Sequence, residues 1–190
     1  LSESRLKDVD RAILFYRRLL DIDRSDPATT LPAAQALERI YQSRAESSAL
    51  VDVLRIQTSF ADDLGVRKQL LARVSQIEET TLQKPAAAIE THRQILDLDP
   101  TDASSLDALE RLYTRTIAWP ELIGVLRMRE GATTDASERR ALFARIAAIY
   151  EDKLDDVDNA VIAYNTVLDA SPEDREAIGA LVRLYERMQK

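Results

Sequence analysis

Residues 108–115 read ALERLYTR, and the pattern returns as ALERIYQS at residues 36–43 and as ALVRLYER at residues 180–187. Tyr41, Tyr113 and Tyr185 are equally spaced, since 113 − 41 and 185 − 113 are both 72. A fixed internal period is typical of stacked copies of one supersecondary unit, each of which buries its apolar face on its neighbours. The same spacing relates Leu54 to Leu126, Arg73 to Arg145, Ala88 to Ala160, Leu96 to Leu168 and Pro100 to Pro172.

Within the period the apolar spacing is helical. Leu106, Leu109, Leu112 and Tyr113 form one apolar stripe, which predicts a helix over about 102–116. A second helix begins near Trp119-Pro120, because proline at the first helical turn loses no hydrogen bond. Two further apolar stripes, one up to residue 150 and one over about 160–168, predict the third and fourth helices of the unit.

One connection differs in length between copies. The separation from Leu20 to Tyr41 (41 − 20 = 21) is greater by four than the separation from Leu96 to Tyr113 (113 − 96 = 17). We expect a four-residue loop insertion within residues 23–32, because loops tolerate insertions at small entropic cost. Gly124 and Gly179 align with Asp52 and Asp107, so we expect both glycines to face solvent in mid-helix.

Composition excludes several classes of function. The apolar fraction is 45%, which is enough for a folded core, and there is no cysteine to form disulfides or thiolate metal sites. A net charge of −7 argues against binding a nucleic-acid backbone. No apolar run approaches the roughly 20 residues that a membrane span needs. Arginine predominates over lysine, which indicates a GC-rich bacterial genome.

Half of each unit resembles the second half of a tetratricopeptide repeat (TPR). That family favours an alanine, an aromatic four residues later, aliphatic residues next, and proline twelve after the alanine. Here the pattern is matched by Ala88, His92, Ile95, Leu96 and Pro100 and by Ala160, Tyr164, Val167, Leu168 and Pro172. Leu109 and Tyr113, and Ile146 and Tyr150, resemble the family's first-helix positions.

The chain also departs from the family pattern. Glu110 occupies the small-residue position of the first helix, and the gap from Tyr150 to Ala160 is one residue longer than usual. Known peptide-binding relatives use lysine and asparagine of the first helices to hold a carboxylate. This chain has asparagine only at 159 and 165, both on a second helix, so that clamp does not transfer.

The resemblance implies an all-α fold: a right-handed α-α superhelix, or TPR-like solenoid, of about ten antiparallel helices. We expect one solenoid over residues 1–190, cut inside a repeat at both ends, so that the array continues both ways. Residue 1 is expected at the end of a first helix. At the other edge, Leu181, Leu184, Tyr185 and Met188 are expected to form a bare apolar face. The predicted repeats are 1–30 (partial), 31–62, 63–101, 102–133, 134–173 and 174–190 (partial).

No set of catalytic residues emerges from the sequence. The single histidine, His92, occupies a position where sister copies hold Tyr16 and Tyr164, so a packing role is favoured over metal binding. Carboxylate pairs such as Glu78/Glu79 are interpreted as residues of helix ends. Trp119 is either a packing residue at a helix start or an exposed anchor for a partner. The acidic cluster Glu151, Asp152, Asp155, Asp156 and Asp158 is interpreted as a solvated turn. We therefore expect no enzyme activity, no cofactor and no metal.

One polar pattern follows the repeat. Arg39, Arg111 and Arg183 each precede the repeat tyrosine by two positions, which places them roughly 200° around the helix and away from the apolar stripe. In TPR solenoids the first helices line the concave surface, so these arginines, with Arg73 and Arg145, could form a groove that binds carboxylate or phosphate. The alternative is pairing within the array, for example between Asp107 and Arg111.

Two functions remain open from the sequence. The first is a non-catalytic protein-interaction scaffold whose concave groove binds a segment of another protein or peptide, acidic if the arginines make the contact. The alternative is a structural spacer or self-assembling repeat element with end-to-end association. Neither involves nucleic acid or a membrane span. A cytoplasmic location is favoured, and a periplasmic one stays open if a signal peptide was removed.

Overall fold

A computed structural model describes residues 2–22 and 26–189, and the side chains of residues 2–7 are left out of the description. Within these residues the chain forms ten α-helices and one π-helical turn, with no β-strand. The helices are α1 (Ser2–Ile22), α2 (Pro27–Arg44), α3 (Ser47–Phe60), α4 (Leu64–Gln76), α5 (Pro85–Leu98), α6 (Ala103–Arg115), α7 (Trp119–Ala132), α8 (Ala136–Asp152), α9 (Val157–Ala170) and α10 (Arg175–Met188).

The helices belong to two compact units, Leu1–Asp99 and Pro100–Lys190. In the first unit α1 to α5 pack in sequence order, each on the next, and in the second unit α6 to α10 do the same. Short turns make successive helices antiparallel. We call α2, α4, α6, α8 and α10 the first helices and α1, α3, α5, α7 and α9 the second helices. The predicted all-α fold of repeated helix pairs is confirmed.

Every first helix begins at an aspartate. Asp26, Asp63, Asp102, Asp135 and Asp174 are the N-caps of α2, α4, α6, α8 and α10, and each carboxylate accepts a hydrogen bond from a backbone N–H of the first turn. A side-chain cap of this kind stabilises a helix by about 1 kcal/mol. These caps therefore fix where each pair starts.

The turns between paired helices use a left-handed residue that is not glycine. Ala45, Gln83, Ile117 and Asp155 have φ between 51° and 60°, and the internal period relates Ala45 to Ile117 and Gln83 to Asp155. At Ala45 the next amide, that of Glu46, donates to the carbonyl of Tyr41 at 3.0 Å, which is a Schellman cap. The amide of Ala118, after Ile117, donates to the carbonyl of Tyr113 at 2.9 Å in the same way.

A π-helical turn extends α4. The turn spans Ile77–Thr81, and the Leu82 amide donates to the Ile77 carbonyl at 2.9 Å. In the second unit the Leu154 amide donates to the Ile149 carbonyl at 3.1 Å, which is the same bond one period later. Both first helices thus end in a widened turn.

The predicted loop insertion within residues 23–32 is wrong for its described part. Residues 23–25 lie outside the described residues, but α2 begins at Pro27 and has 18 residues, whereas α6 has 13. Tyr41 aligns with Tyr113, so α2 starts four residues earlier than α6. The extra residues lengthen the helix by about one turn, because Asp26 and Pro27 supply a good start at the earlier position.

At the first edge, α1 is continuous from Ser2 to Ile22. Residue 1, which was predicted at the end of a first helix, lies outside the described residues. At the other edge, Leu181 and Leu184 are buried, whereas Tyr185 and Met188 are exposed as expected. The two leucines are buried because they face α9, on which α10 packs. Across the described part of the chain, no helix is both long and apolar enough to cross a membrane.

Candidate protein-binding surface

The five arginines of the predicted groove lie on the five first helices. Arg39 on α2 and Arg73 on α4 belong to the first unit. Arg111 on α6, Arg145 on α8 and Arg183 on α10 belong to the second. Arg39, Arg111, Arg145 and Arg183 are exposed, and Arg73 is half-buried.

In the first unit a glutamate connects three helices. Glu38 of α2 holds Arg73 of α4 through Oε1 at 2.7 Å, and its other oxygen accepts from Nε2 of Gln57 on α3 at 2.7 Å. Both oxygens of a half-buried carboxylate are therefore occupied. Glu38 fixes the position of Arg73 relative to both neighbouring helices.

The second unit repeats this arrangement one period later. Glu110 of α6 pairs with Arg145 of α8, and its Oε2 lies 3.3 Å from Nε of Arg129 on α7. Arg129 also pairs with Asp107, the residue that had been considered as a partner for Arg111. Glu110, at the position where TPR sequences have a small residue, thus joins α6 to α7 and α8 through ion pairs. We call Glu38 and Glu110, with the residues that each one contacts, the glutamate bridges.

Arg183 on α10 also has an acidic partner, on α8. Arg183 Nη2 lies 3.3 Å from Oε1 of Glu151, and Arg187, one turn later, pairs with Asp155. Burial, together with a 3.0 Å hydrogen bond from Tyr164 to Glu151 Oε2, raises the pKa of the Tyr164 hydroxyl.

The acidic cluster is consequently more than a solvated turn. Glu151 and Asp155 bind α10 as described above, and Asp156 caps α9 by accepting from the Asn159 amide at 3.1 Å. The hydrogen bonds that the side chain and the backbone N–H of Asn159 donate to Asp156 lower the pKa of its carboxyl group. The interpretation as a solvated turn holds for Asp155, whose side chain is 80% exposed although it pairs with Arg187. Glu151 instead lies in α8 and is largely buried.

Arg111 and Arg145 come together in an open depression between α6 and α8. Its volume is about 320 Å³. The glutamate bridge of the second unit forms one wall, so the guanidinium of Arg145 has a fixed orientation at the edge. We call this the α6–α8 depression, and its lining residues are Asp107, Glu110, Arg111, Thr114, Arg115 and Arg145.

The carboxylate pair Glu78/Glu79 includes one buried group. Glu78 lies in the π-helical turn, where Oε1 is 2.7 Å from Nη2 of Arg55 and Oε2 accepts from the Thr91 hydroxyl at 2.7 Å. The sequence predicts a residue of a helix end at this position. The position is as expected, and the contacts indicate that Glu78 joins α3, the π-helical turn and α5 together.

Two other singled-out residues lie in the helix packing. His92 is buried on α5, at the position where α9 has the buried Tyr164. Trp119 is half-buried at the start of α7, with the ammonium of Lys153 5.7 Å from its ring centroid. This contact favours a packing role for Trp119, since one face of the ring is already covered by a cation.

Sequence reasoning missed Arg115 and Arg129, which contribute to the depression and to its glutamate bridge. Arg129 could have been found from the period, because it aligns with Gln57, another long hydrogen-bond donor, at a fixed distance from an aligned glutamate. Arg115 has a weaker signal of this kind, because it aligns with Arg187 in the third copy but with Ser43 in the first.

The fold and this surface define a class: the chain has a TPR-like helical-repeat fold. No protein-family model and no curated protein matches the chain. Among solved structures, MamA is similar over 83% of this chain and 81% of its own, with 16% identity and a TM-score of 0.45. YrrB, described as a TPR protein with an unusual peptide-binding site, matches over 93% and 85%, with 15% identity and a TM-score of 0.42. A thermophilic TPR protein of Thermus thermophilus matches over 100% and 95%, with 15% identity and a TM-score of 0.36.

Proposed function

We propose that this chain is a non-catalytic scaffold for protein–protein interaction, and that the α6–α8 depression of its second unit binds an acidic segment of a partner. The observation that supports this is the grouping of Arg111, Arg115 and Arg145 around one open depression. Guanidinium groups bind carboxylates through paired hydrogen bonds, so this surface fits a chain that presents carboxylates at intervals.

The shape of the depression favours a polypeptide over a small molecule. It is open to solvent, whereas small-molecule sites are concave and bury most of the ligand's surface. Glu110 contributes to specificity, since it holds Arg145 in place and would repel a partner carboxylate placed against it. The first-helix surface of the first unit, with Arg39 and Arg73, is proposed as a further contact for the same type of partner.

A peptide-binding assay tests the proposal. The probe is a short fluorescein-labelled polyglutamate peptide, and a polylysine peptide serves as the opposite-charge comparison. We expect polyglutamate to bind at about 0.1 M salt although the chain has a net charge of −7. The three arginines outnumber the two acids that line the depression, and charges beyond a Debye length of about 10 Å are largely screened. The Arg111→Glu variant should weaken binding roughly fivefold, or about 1 kcal/mol.

The control variant is Arg93→Glu on α5, a second helix. Arg93 is exposed and is not a lining residue of the depression, and its substitution changes the net charge by the same amount. Equal weakening by Arg93→Glu and Arg111→Glu would show a general charge effect. That result, or the absence of polyglutamate binding, would contradict the proposed site.

A further inference from the structure

One side of α10 presents an exposed apolar stripe. Ile178, Val182 and Tyr185 follow at steps of four and three residues, and Met188 comes one turn later. All four are exposed, and the helix on which α10 packs is α9. An apolar stripe of this kind on a soluble helix marks an interaction surface.

The internal repeat shows what type of element covers this stripe. Tyr185 is 46% exposed, whereas Tyr113, its counterpart on α6, is 6% exposed. Ile178 corresponds to the buried Leu106. α6 is followed by α7, which packs against it, just as α3 packs on α2. The stripe on α10 is therefore the face on which a first helix receives its second helix.

The complementary face belongs to α1, a second helix. Ala12, Phe15, Tyr16 and Leu19 form one stripe on α1, in which Phe15 is exposed and the other three side chains are half-buried. Phe15 is 59% exposed, although its counterparts Thr91 on α5 and Ala163 on α9 are buried. α5 packs on α4 and α9 packs on α8, so this is the face by which a second helix contacts its first helix.

Residue chemistry at one position selects the partner of α10. Three residues before the repeat tyrosine, α2 and α6 have Glu38 and Glu110, and α10 has Val182, which is 53% exposed. The glutamates contact the eleventh residues of α3 and α7, which are Gln57 and Arg129. Valine cannot form a hydrogen bond with a glutamine or arginine at that position. Burying such a polar side chain against Val182 without a partner would cost free energy.

The other second helices have an apolar eleventh residue instead. Ile95 of α5 and Val167 of α9 are buried, and the first helices α4 and α8 have the small residues Ser75 and Ala147 at the position of Val182. α1 belongs to this series, since Leu19 aligns with Val167. An apolar Val182 therefore matches α1.

We propose that α10 of one copy packs on α1 of a second copy, so that the stripe from Ile178 to Met188 covers the stripe from Ala12 to Leu19. The contact is heterologous, because each copy uses a different face. Each added copy leaves one α1 face and one α10 face available, so assembly proceeds beyond a dimer. The partner is a second copy of this chain, and the contact repeats the first-to-second helix packing already present within each unit.

Sedimentation velocity over a wide concentration range tests this. The 190-residue chain is 21.4 kDa, and we expect its weight-average mass to rise with concentration past that of a dimer. Val182→Glu should return the mass to that of the monomer, because it places an unpaired carboxylate against Leu19. Sister helices already hold glutamate at this position, so the fold tolerates it. Phe15→Glu should have the same effect from the α1 side.

Two further variants make the test specific. Adding Leu19→Arg to Val182→Glu recreates the Glu110–Arg129 pair and should restore association. Ile162→Glu, at an exposed apolar residue of α9, should leave association unchanged. A chain that stays monomeric at all concentrations would overturn the proposal. If Val182→Glu abolishes self-association but Phe15→Glu does not, the proposed contact between α10 and α1 is wrong, and contact between two α10 helices is indicated instead. Arg111→Glu should not alter the mass, so failure of the proposed peptide site would be visible separately.

Discussion

Replacing Ile117 by glycine should stabilise the chain. Ile117 has φ of 60°, and an L-residue in the left-handed region costs roughly 1–2 kcal/mol. A β-branched residue is especially unfavourable there. Its side chain is 68% exposed, so its removal loses little packing. Glycine loses about 0.5–1 kcal/mol of additional backbone entropy on folding, which leaves a net gain of roughly 0.5–1 kcal/mol.

Urea unfolding followed by circular dichroism measures this gain as a higher midpoint with an unchanged slope. The matched control is Ile162→Gly, which removes an equally exposed isoleucine from the middle of α9. There the backbone is helical, so glycine should cost about 1 kcal/mol. If both variants lose stability by the same amount, the left-handed strain at Ile117 is not real and the reasoning fails.

Three other predictions concern the core, the helices and the caps. Leu109→Ala and Leu126→Ala should each lower the free energy of unfolding by about 2–5 kcal/mol, measured with urea or heat, because both leucines are fully buried. The unfolding transition should also broaden, since each repeat contacts only its neighbours. A transition that moves to a lower midpoint but stays equally sharp would contradict repeat-like unfolding. Gly124→Ala should stabilise α7 by about 0.5–1 kcal/mol, since an added Cβ meets no atom within 4 Å; a lower urea midpoint would show a hidden contact. The hydrogen bond from the Ala177 amide and the Arg140 guanidinium lower the pKa of Asp174, so its contribution is present above the unfolded pKa of about 3.9 and is lost as pH falls through the folded value. Asp174→Asn should therefore lose less free energy of unfolding on acidification than the unsubstituted chain does. Equal losses in the two proteins would show that protonation of Asp174 does not contribute to the acid-induced loss of stability.

The sequence was most informative where the period and the helical stripes agree. The helix over 102–116 is observed as Ala103–Arg115, and the helix expected near Trp119 begins there. Gly124 faces solvent, with no atom near the place of a Cβ, as its alignment with Asp52 predicted. These predictions succeed because burial of an apolar stripe determines both the extent of each helix and its orientation.

Sequence reasoning was weaker where polar side chains choose among partners. The apolar spacing predicts that Glu110 and Arg145 lie on two different helices. It does not predict their ion pair, because only the packing of those helices brings the two charged groups together. The extension of α2 was missed for a different reason: alignment gives the number of inserted residues but not whether they continue a helix or form a loop. Asp26 and Pro27 are compatible with both.

The widened turn makes the two helix pairs of each period unequal. An α-helix that gains one residue can keep its ends in place by widening a single turn. Glu78 and Ala88, like Tyr150 and Ala160, are one residue further apart than TPR sequences usually allow, and both segments contain the same widened bond, from Leu82 to Ile77 and from Leu154 to Ile149. The true repeating element of this chain is therefore the 72-residue set of four helices, in which one helix pair is ordinary and the other is lengthened.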